Sequence, residues 1–443
     1  MIIYICINHN KHAMISQLLF AILLIFSAFL FYKNAYKIYR NIKLGKALNR
    51  FDNTSKRLKT MLLVAFGQKK MFKRPIPALL HLLVYLGFCI INIEMIEILI
   101  DGLFGTHRIL SFLGGIYDIL IASFEILAFT VLFSCIIFLI RRNILKLKRL
   151  NQSELISWPK TDANLILIVE ILLMSAFITM NAADLKLQLL GAPHYLSSGS
   201  FPISSYLIPI LPNNISSLIL IERFCWWFHI IGILAFLNYL PYSKHLHIVL
   251  AFPNTYFSKL EPKGQFENMT SVTAEVKSML DPTQPPPTAE VSRFGVKDIQ
   301  DLTWKNLLDA YTCTECGRCT SSCPANITGK LLSPRKIMMD TRDRLEEVSK
   351  NIDGNKSFVD DGKSLLDTYI TREEIWACTS CNACVEQCPV NINPLEIIMG
   401  IRQFIVMEES QAPTSINNMM SNLENNGAPW KYAQADRANW TQQ

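Results

Sequence analysis

The chain has 443 residues, half of them hydrophobic, with a formal charge of +7. That length allows two or three domains. The long apolar runs fall within residues 1–250, while residues 258–443 have ordinary soluble composition. The lysines and arginines cluster beside the apolar runs, which fits membrane topology and argues against a nucleic-acid partner. The first apolar run lacks a basic leader and a small-residue cleavage site, so no cleavable signal peptide is expected.

A spanning helix needs about 20 apolar residues. Five runs meet this, at about 14–32, 76–100, 115–140, 162–183 and 217–240. The segment after the first is rich in Lys33, Lys37, Arg40, Lys43, Lys46 and Arg50, then Lys69, Lys70, Lys73 and Arg74. The segment after the third holds Arg141, Arg142, Lys146, Lys148 and Arg149, whereas the opposite loops offer Arg108 and Lys186. The positive-inside rule then puts the N-terminus outside and everything after the fifth helix in the cytoplasm, at the inner membrane. Cys6, Cys89, Cys135 and Cys225 are scattered through this half and read as inert helix residues.

Buried imidazoles in such helices need a partner, and haem iron is one. His81 lies early in the second helix and His229 in the fifth; His245 and His247 follow in "PYSKHLHI". If the fifth helix ran on, the 18 residues from His229 to His247 would be five whole turns, facing the two rings alike and His245 away. Pro241 is expected to perturb that register. Glu94, Glu97, Glu125 and Glu170 are intramembrane carboxylates, equally suited to proton or quinone routes and to interhelical bonding.

"LLHLLVYLGF" with "FHIIGILAFLNYLPYSKHLHI" resembles the haem-b membrane subunits of respiratory nitrate reductase and membrane-bound heterodisulfide reductase. The resemblance, over most of residues 70–255, implies a haem-ligating pair on each of helices two and five. His229 and His247 occupy the helix-five positions and His81 the first of helix two; the second falls on Ile91, which cannot ligate iron. One haem b, between His81 and His247, is therefore expected, and His229 is left without an opposite ligand.

A polar, proline-rich linker over 256–300 includes "DPTQPPPTAE". After it come two runs of the form C-x2-C-x2-C-x3-C-P: Cys313, Cys316, Cys319 and Cys323 with Pro324, then Cys378, Cys381, Cys384 and Cys388 with Pro389. In such runs three close thiolates take three corners of one [4Fe–4S] cube, and the fourth ligates the other cube. One cluster is thus assigned to Cys313, Cys316, Cys319 and Cys388, the other to Cys378, Cys381, Cys384 and Cys323. Zinc would need only C-x2-C pairs. Between the runs, "SPRKIMMDTRDRLEEVSK" and "SLLDTYITREEIWACTS" read as helical. That resembles the all-helical ferredoxin domain of succinate dehydrogenase and heterodisulfide reductase.

The expected fold is mainly α: a transmembrane haem-b/quinone-type domain over 1–255, the linker, a cytoplasmic α-helical ferredoxin domain over 301–405, and a tail over 406–443. In longer relatives of the resembled superfamily a domain with paired CCG motifs comes next. This sequence has no Cys-Cys-Gly, so the tail is expected to dock a separate soluble subunit bearing that domain or a flavin. The resemblance implies an electron-transfer subunit of a heterodisulfide reductase-like complex, passing electrons between that partner, two clusters, one haem b and the quinone pool. No dinucleotide motif and no nucleophile–base constellation is present, so no catalytic residue is assigned. Two alternatives stand beside this reading: a self-sufficient quinone-reactive oxidoreductase and a non-enzymatic redox sensor.

Overall fold

The computed structural model describes residues 2–442 apart from residues 196, 267, 282 and 284–292, with side chains from Met14 onward. The Cys6 side chain and most of the proline-rich stretch 281–290 therefore lie outside what is described. The fold is mainly α-helical; among the described residues the only β-pairings are two isolated bridges, Lys46 with Thr303 and Leu366 with Ile370. Contacts divide the chain into two units, 1–39 with 68–248, and 40–67 with 249–443. Residues 40–67 thus group with the cysteine-bearing unit, and the division falls at 248/249.

In the first unit, five helices are long and apolar enough to cross a membrane. They are α1 (Ile2–Ile42), α2 (Pro75–Phe104), α3 (Gly115–Leu139), α4 (Trp158–Leu189) and α5 (Ile215–Tyr239). Proline opens α2 at its first position, where no intrahelical N–H is needed, and Asn214 caps α5 by accepting from Ser216 N at 2.9 Å. The helices pack through Ile121, Phe124, Ala128 and Phe177, all buried. Large apolar side chains such as Ile25, Phe29, Ile119 and Phe224 remain exposed. A surface this apolar suits lipid and would drive a water-soluble protein to aggregate. The chain is a multi-pass membrane protein by this measure.

Helix five does not run on to His247. It ends at Tyr239, two short 3-10 turns follow at Leu240–Tyr242 and Lys244–Leu246, and a new helix, α6 (His247–Tyr256), starts at His247. Pro241 lacks the N–H that a continuing helix needs. The five-turn register expected between His229 and His247 is therefore broken, and His245 is not turned away: its ring centroid lies 5.6 Å from that of His247.

In the second unit, α7 (Trp304–Thr312), α8 (Pro334–Asn355), α9 (Ala383–Gln387) and α10 (Pro394–Met407) surround a core including Leu307, Ile337, Leu345, Ile375 and Ile401. Each long helix has a polar cap. Thr303 and Asn306 form a reciprocal capping box on α7, Ser333 accepts from Lys336 N on α8, and Asn393 from Glu396 N on α10. Residues 40–67 are stitched to this core: Asn41 donates to the Tyr311 hydroxyl at 2.8 Å and Trp304 Nε1 to Leu48 O at 2.9 Å. At Gly45 a Cβ would stand 2.5 Å from Trp304 N, so only glycine fits this approach.

Of the two inter-run segments expected to be helical, the first is α8. The second is helical only over Arg372–Trp376. Asp367 takes a left-handed conformation (φ 71°) and Leu366 an extended one, and Thr371 with Glu374 forms a capping box that starts the helix late. Local side-chain capping overrides the apolar spacing there. Among the described residues the linker includes the α-helix Thr270–Leu280, and the tail the α-helix Thr414–Asn426.

Candidate functional site

The two cysteine runs share one backbone design. Residues two and four after the first cysteine are left-handed in both: Glu315 (φ 54°) and Gly317 (φ 70°), Ser380 (φ 57°) and Asn382 (φ 61°). Glycine and asparagine are the residues that adopt this region at least cost. The turn brings the Ser380 N–H to within 3.4 Å of Cys378 Sγ, and the Glu315 N–H donates to Cys313 in the same way. The fourth cysteine of each run is extended, Cys323 at ψ 119° and Cys388 at ψ 123°, with proline next. Pro324 opens a one-turn helix, so Cys323 leads away from its own run.

The sulfurs group across the runs. Cys313, Cys316, Cys319 and Cys388 line one cavity with Cys384, Arg318 and Arg335. Cys384 is also within electrostatic reach of Cys378, Cys323 and Cys381. The structure thus brings Cys388 of the second run to the first three cysteines, and Cys323 of the first run to the other three. Two complete four-cysteine runs, each with a trailing proline, suit a polynuclear group better than zinc.

Burial governs the protonation of these thiols. Burial pushes the Cys313 thiol up to about 12, with the neighbouring Cys316 adding to it. Burial also pushes Cys384 up to about 12, and Cys378 and Cys319 are raised by burial and by neighbouring sulfurs. Thiols held this way become thiolates only beside cations, so binding an iron–sulfur group would release protons. The donor set fits two [4Fe–4S] groups.

Several buried charges of this unit are paired. Glu315, on the cavity wall, meets Arg342 at 2.9 Å. Farther out, Arg344 is fully buried and bound to Asp298 at 2.7 Å and Asp361 at 2.6 Å. The buried Arg57 donates to Asp52 and to the Ser258 carbonyl at 3.0 Å. Such pairing is what lets charges sit in a low-dielectric core.

In the first unit the rings of His81 and His247 are 6.4 Å apart between centroids. His247 Nδ1 lies 3.1 Å from Lys244 O, and His81 Nδ1 lies 3.2 Å from Gln68 Oε1. Donation from Nδ1 to these oxygens leaves the lone pair on Nε2, as a ligating imidazole needs. Burial also holds His247 below the usual imidazole range and pushes His245 down to about 3. Two metal–nitrogen bonds of about 2 Å, with about 1 Å more to each ring centre, span about 6 Å, so the pair suits one iron. His229 is elsewhere: its Nδ1 is 3.1 Å from Leu173 O and its ring packs on Phe177. Ile91 is a buried core residue.

The intramembrane carboxylates differ. Glu125 accepts from the N–H groups of Ile203 (2.9 Å) and Ser204 (3.1 Å), and Glu97 from Leu110 N (2.9 Å) and the Tyr117 hydroxyl (3.0 Å). These two fasten loops to the bundle. Glu94 is buried with one oxygen unbonded, and Glu170 is partly exposed. Sequence reasoning missed Arg108 as a structural centre. It donates to Asp184 (2.6 Å), Asn181 (3.0 Å) and Tyr117 (3.1 Å). Along the chain it shows only as a lone arginine between two apolar runs, with Asp184 just past the end of another.

The family of the 4Fe–4S dicluster domain matches residues 312–392. The chain is 31% identical to the probable iron–sulfur-binding oxidoreductase FadF of Bacillus subtilis, over 96% of this chain and 60% of that protein. It is 26% identical to the EtfAB:quinone oxidoreductase of Syntrophomonas wolfei, over 89% of this chain and 55% of that protein. A shorter match is to subunit C2 of the H2/formate:CoB-CoM heterodisulfide, ferredoxin reductase of Methanococcus maripaludis, 31% identical over 24% of this chain and 47% of that subunit. The chain thus spans less than two thirds of these relatives. No solved structure matches. The protein carries an iron–sulfur dicluster domain together with a multi-helix membrane region, and is related in sequence to these redox proteins.

Proposed function

We propose that this chain is a membrane-bound electron-transfer subunit of an oxidoreductase, working between a soluble partner and the quinone pool. The observation that carries the reading is the crossed grouping of eight cysteines in one helical unit of a chain with five membrane-length helices. Cys313, Cys316, Cys319 and Cys388 would hold one [4Fe–4S] cluster, and Cys378, Cys381, Cys384 and Cys323 the other. His81 and His247 would hold a haem b; when bound, these groups take up and give back single electrons.

What the chain's own residues do is bind, bury and orient. The left-handed turns aim N–H groups at sulfur, and Lys244 O and Gln68 set the histidine tautomers. The soluble partner is proposed to carry a CCG domain or a flavin. A relative that is an EtfAB:quinone oxidoreductase supports the quinone end and a separate redox protein at the other. The basic residues after the first and third helices support a cytoplasmic cluster unit with the N-terminus outside.

The test is anaerobic reduction of the detergent-purified chain by dithionite, followed by a short-chain quinone. Rapid reoxidation of the visible iron–sulfur absorbance supports the proposal. Clusters that stay reduced with excess quinone favour a sensor role and count against it.

A further inference from the structure

The two sets of cysteines sit in unequal electrostatic surroundings. The cavity of Cys313, Cys316, Cys319 and Cys388 is also lined by Arg335 and Arg318, with Cys384 of the other set at its border. Arg335 is 0% exposed and Arg318 3%. Glu315 lies on the same wall and pairs with Arg342 at 2.9 Å. Arg335 is held in place by its backbone: it is the second residue of α8, and its N–H lies 3.3 Å from Thr320 Oγ1, which itself meets Ser333 Oγ at 2.9 Å. Around the other set, Cys381 is exposed, so water screens the charge there. Its nearby cation, Arg402, is half-buried, donates to the carbonyls of Ile375 (2.8 Å) and Cys378, and lies over the Trp376 ring at 5.1 Å.

An electron added to a thiolate-bound cluster adds one negative charge and makes or breaks no bond. Buried cations favour that charge far more than solvent-screened ones. Resting on the cluster assignment above, we propose that Arg335 and Arg318 raise the reduction potential of the Cys313–Cys316–Cys319–Cys388 cluster above that of its neighbour. The electron shared by the pair then rests beside these two guanidiniums. Both arginines are positioning residues: they act on the stability of the reduced form through charge.

The experiment is an EPR-monitored redox titration of the full chain in detergent, with iron and sulfide measured on each sample. In Arg335→Gln and Arg318→Gln, the potential of one cluster should fall by at least about 59 mV, a tenfold change in its one-electron equilibrium, while the other stays within error. Arg335→Lys keeps the charge and should hold the potential near that of the unaltered chain. If Arg335→Gln fails to load, Arg318→Gln carries the same expectation. Fully loaded variants with unchanged potentials, or with both clusters shifted alike, overturn the proposal. An unaltered chain that binds no iron–sulfur group overturns the cluster assignment instead, so the two failures are distinguishable.

Discussion

The two units solve the burial of charge in opposite ways. In the cluster unit the apolar residues are inside, and buried charges such as Arg344 and Arg57 are tied to named acids and carbonyls. In the membrane unit the exterior is apolar, and the polar groups turn inward around Arg108, Asp184, Asn181, Tyr117 and Glu97. Lipid offers no hydrogen bonds, so the bundle must supply them itself. Water competes for every surface pair in the other unit, so only its buried pairs carry much weight. Charge therefore serves as internal fastening in one unit. In the other it frames a cavity lined with sulfur.

The largest expected effect tests the crossing of the cysteine runs. Cys313→Ser and Cys388→Ser should erase the same EPR signal, and Cys378→Ser and Cys323→Ser the other. Pairing by run, with Cys388 grouping with Cys378, would break the comparison at its root. Next, His247→Ala should abolish a b-type band in the reduced-minus-oxidised spectrum, while His229→Ala, whose ring is bonded to Leu173 O, should leave it. In the membrane unit, Arg108→Gln leaves Asp184 buried without its partner. It should cost about 3–5 kcal/mol, read as a lower thermal midpoint in detergent. Asp361→Asn should give the smallest effect. The guanidinium of Arg344 holds the Asp361 carboxyl below the usual range, so the pair stabilises the fold at neutral pH and that contribution is lost as pH falls through the lowered value. The variant's stability deficit, followed by chemical denaturation of the loaded chain, should therefore shrink toward acid pH.

Much of this was legible in the sequence. The five helices were, because continuous apolar runs have few other uses; α1, α2 and α4 run several residues past the expected bounds, while α3 and α5 end within one residue of them. The cysteine runs were legible because spacing and proline constrain where the fourth thiol can go. What periodicity could not supply was register through Pro241, where the helix breaks into 3-10 turns and His245 comes to lie beside His247. Nor could it show that Asp367 and the Thr371 cap would cut a helical-looking segment to one short turn. The joining of residues 40–67 to the cluster unit depends on long-range contacts such as Asn41 with Tyr311, which no local pattern encodes. The Arg108 centre likewise draws on three separate helices and a loop, and its members look unrelated along the chain.

The central claim is that eight cysteines from two runs hold two clusters in this unit. It is tested most directly by anaerobic iron and sulfide analysis with EPR on the purified full chain. The account predicts about eight iron and eight sulfide per chain and two interacting signals after reduction, each lost with its own crossed set of cysteines. Stoichiometric zinc without sulfide, or a single cluster that survives Cys388→Ser, would contradict it.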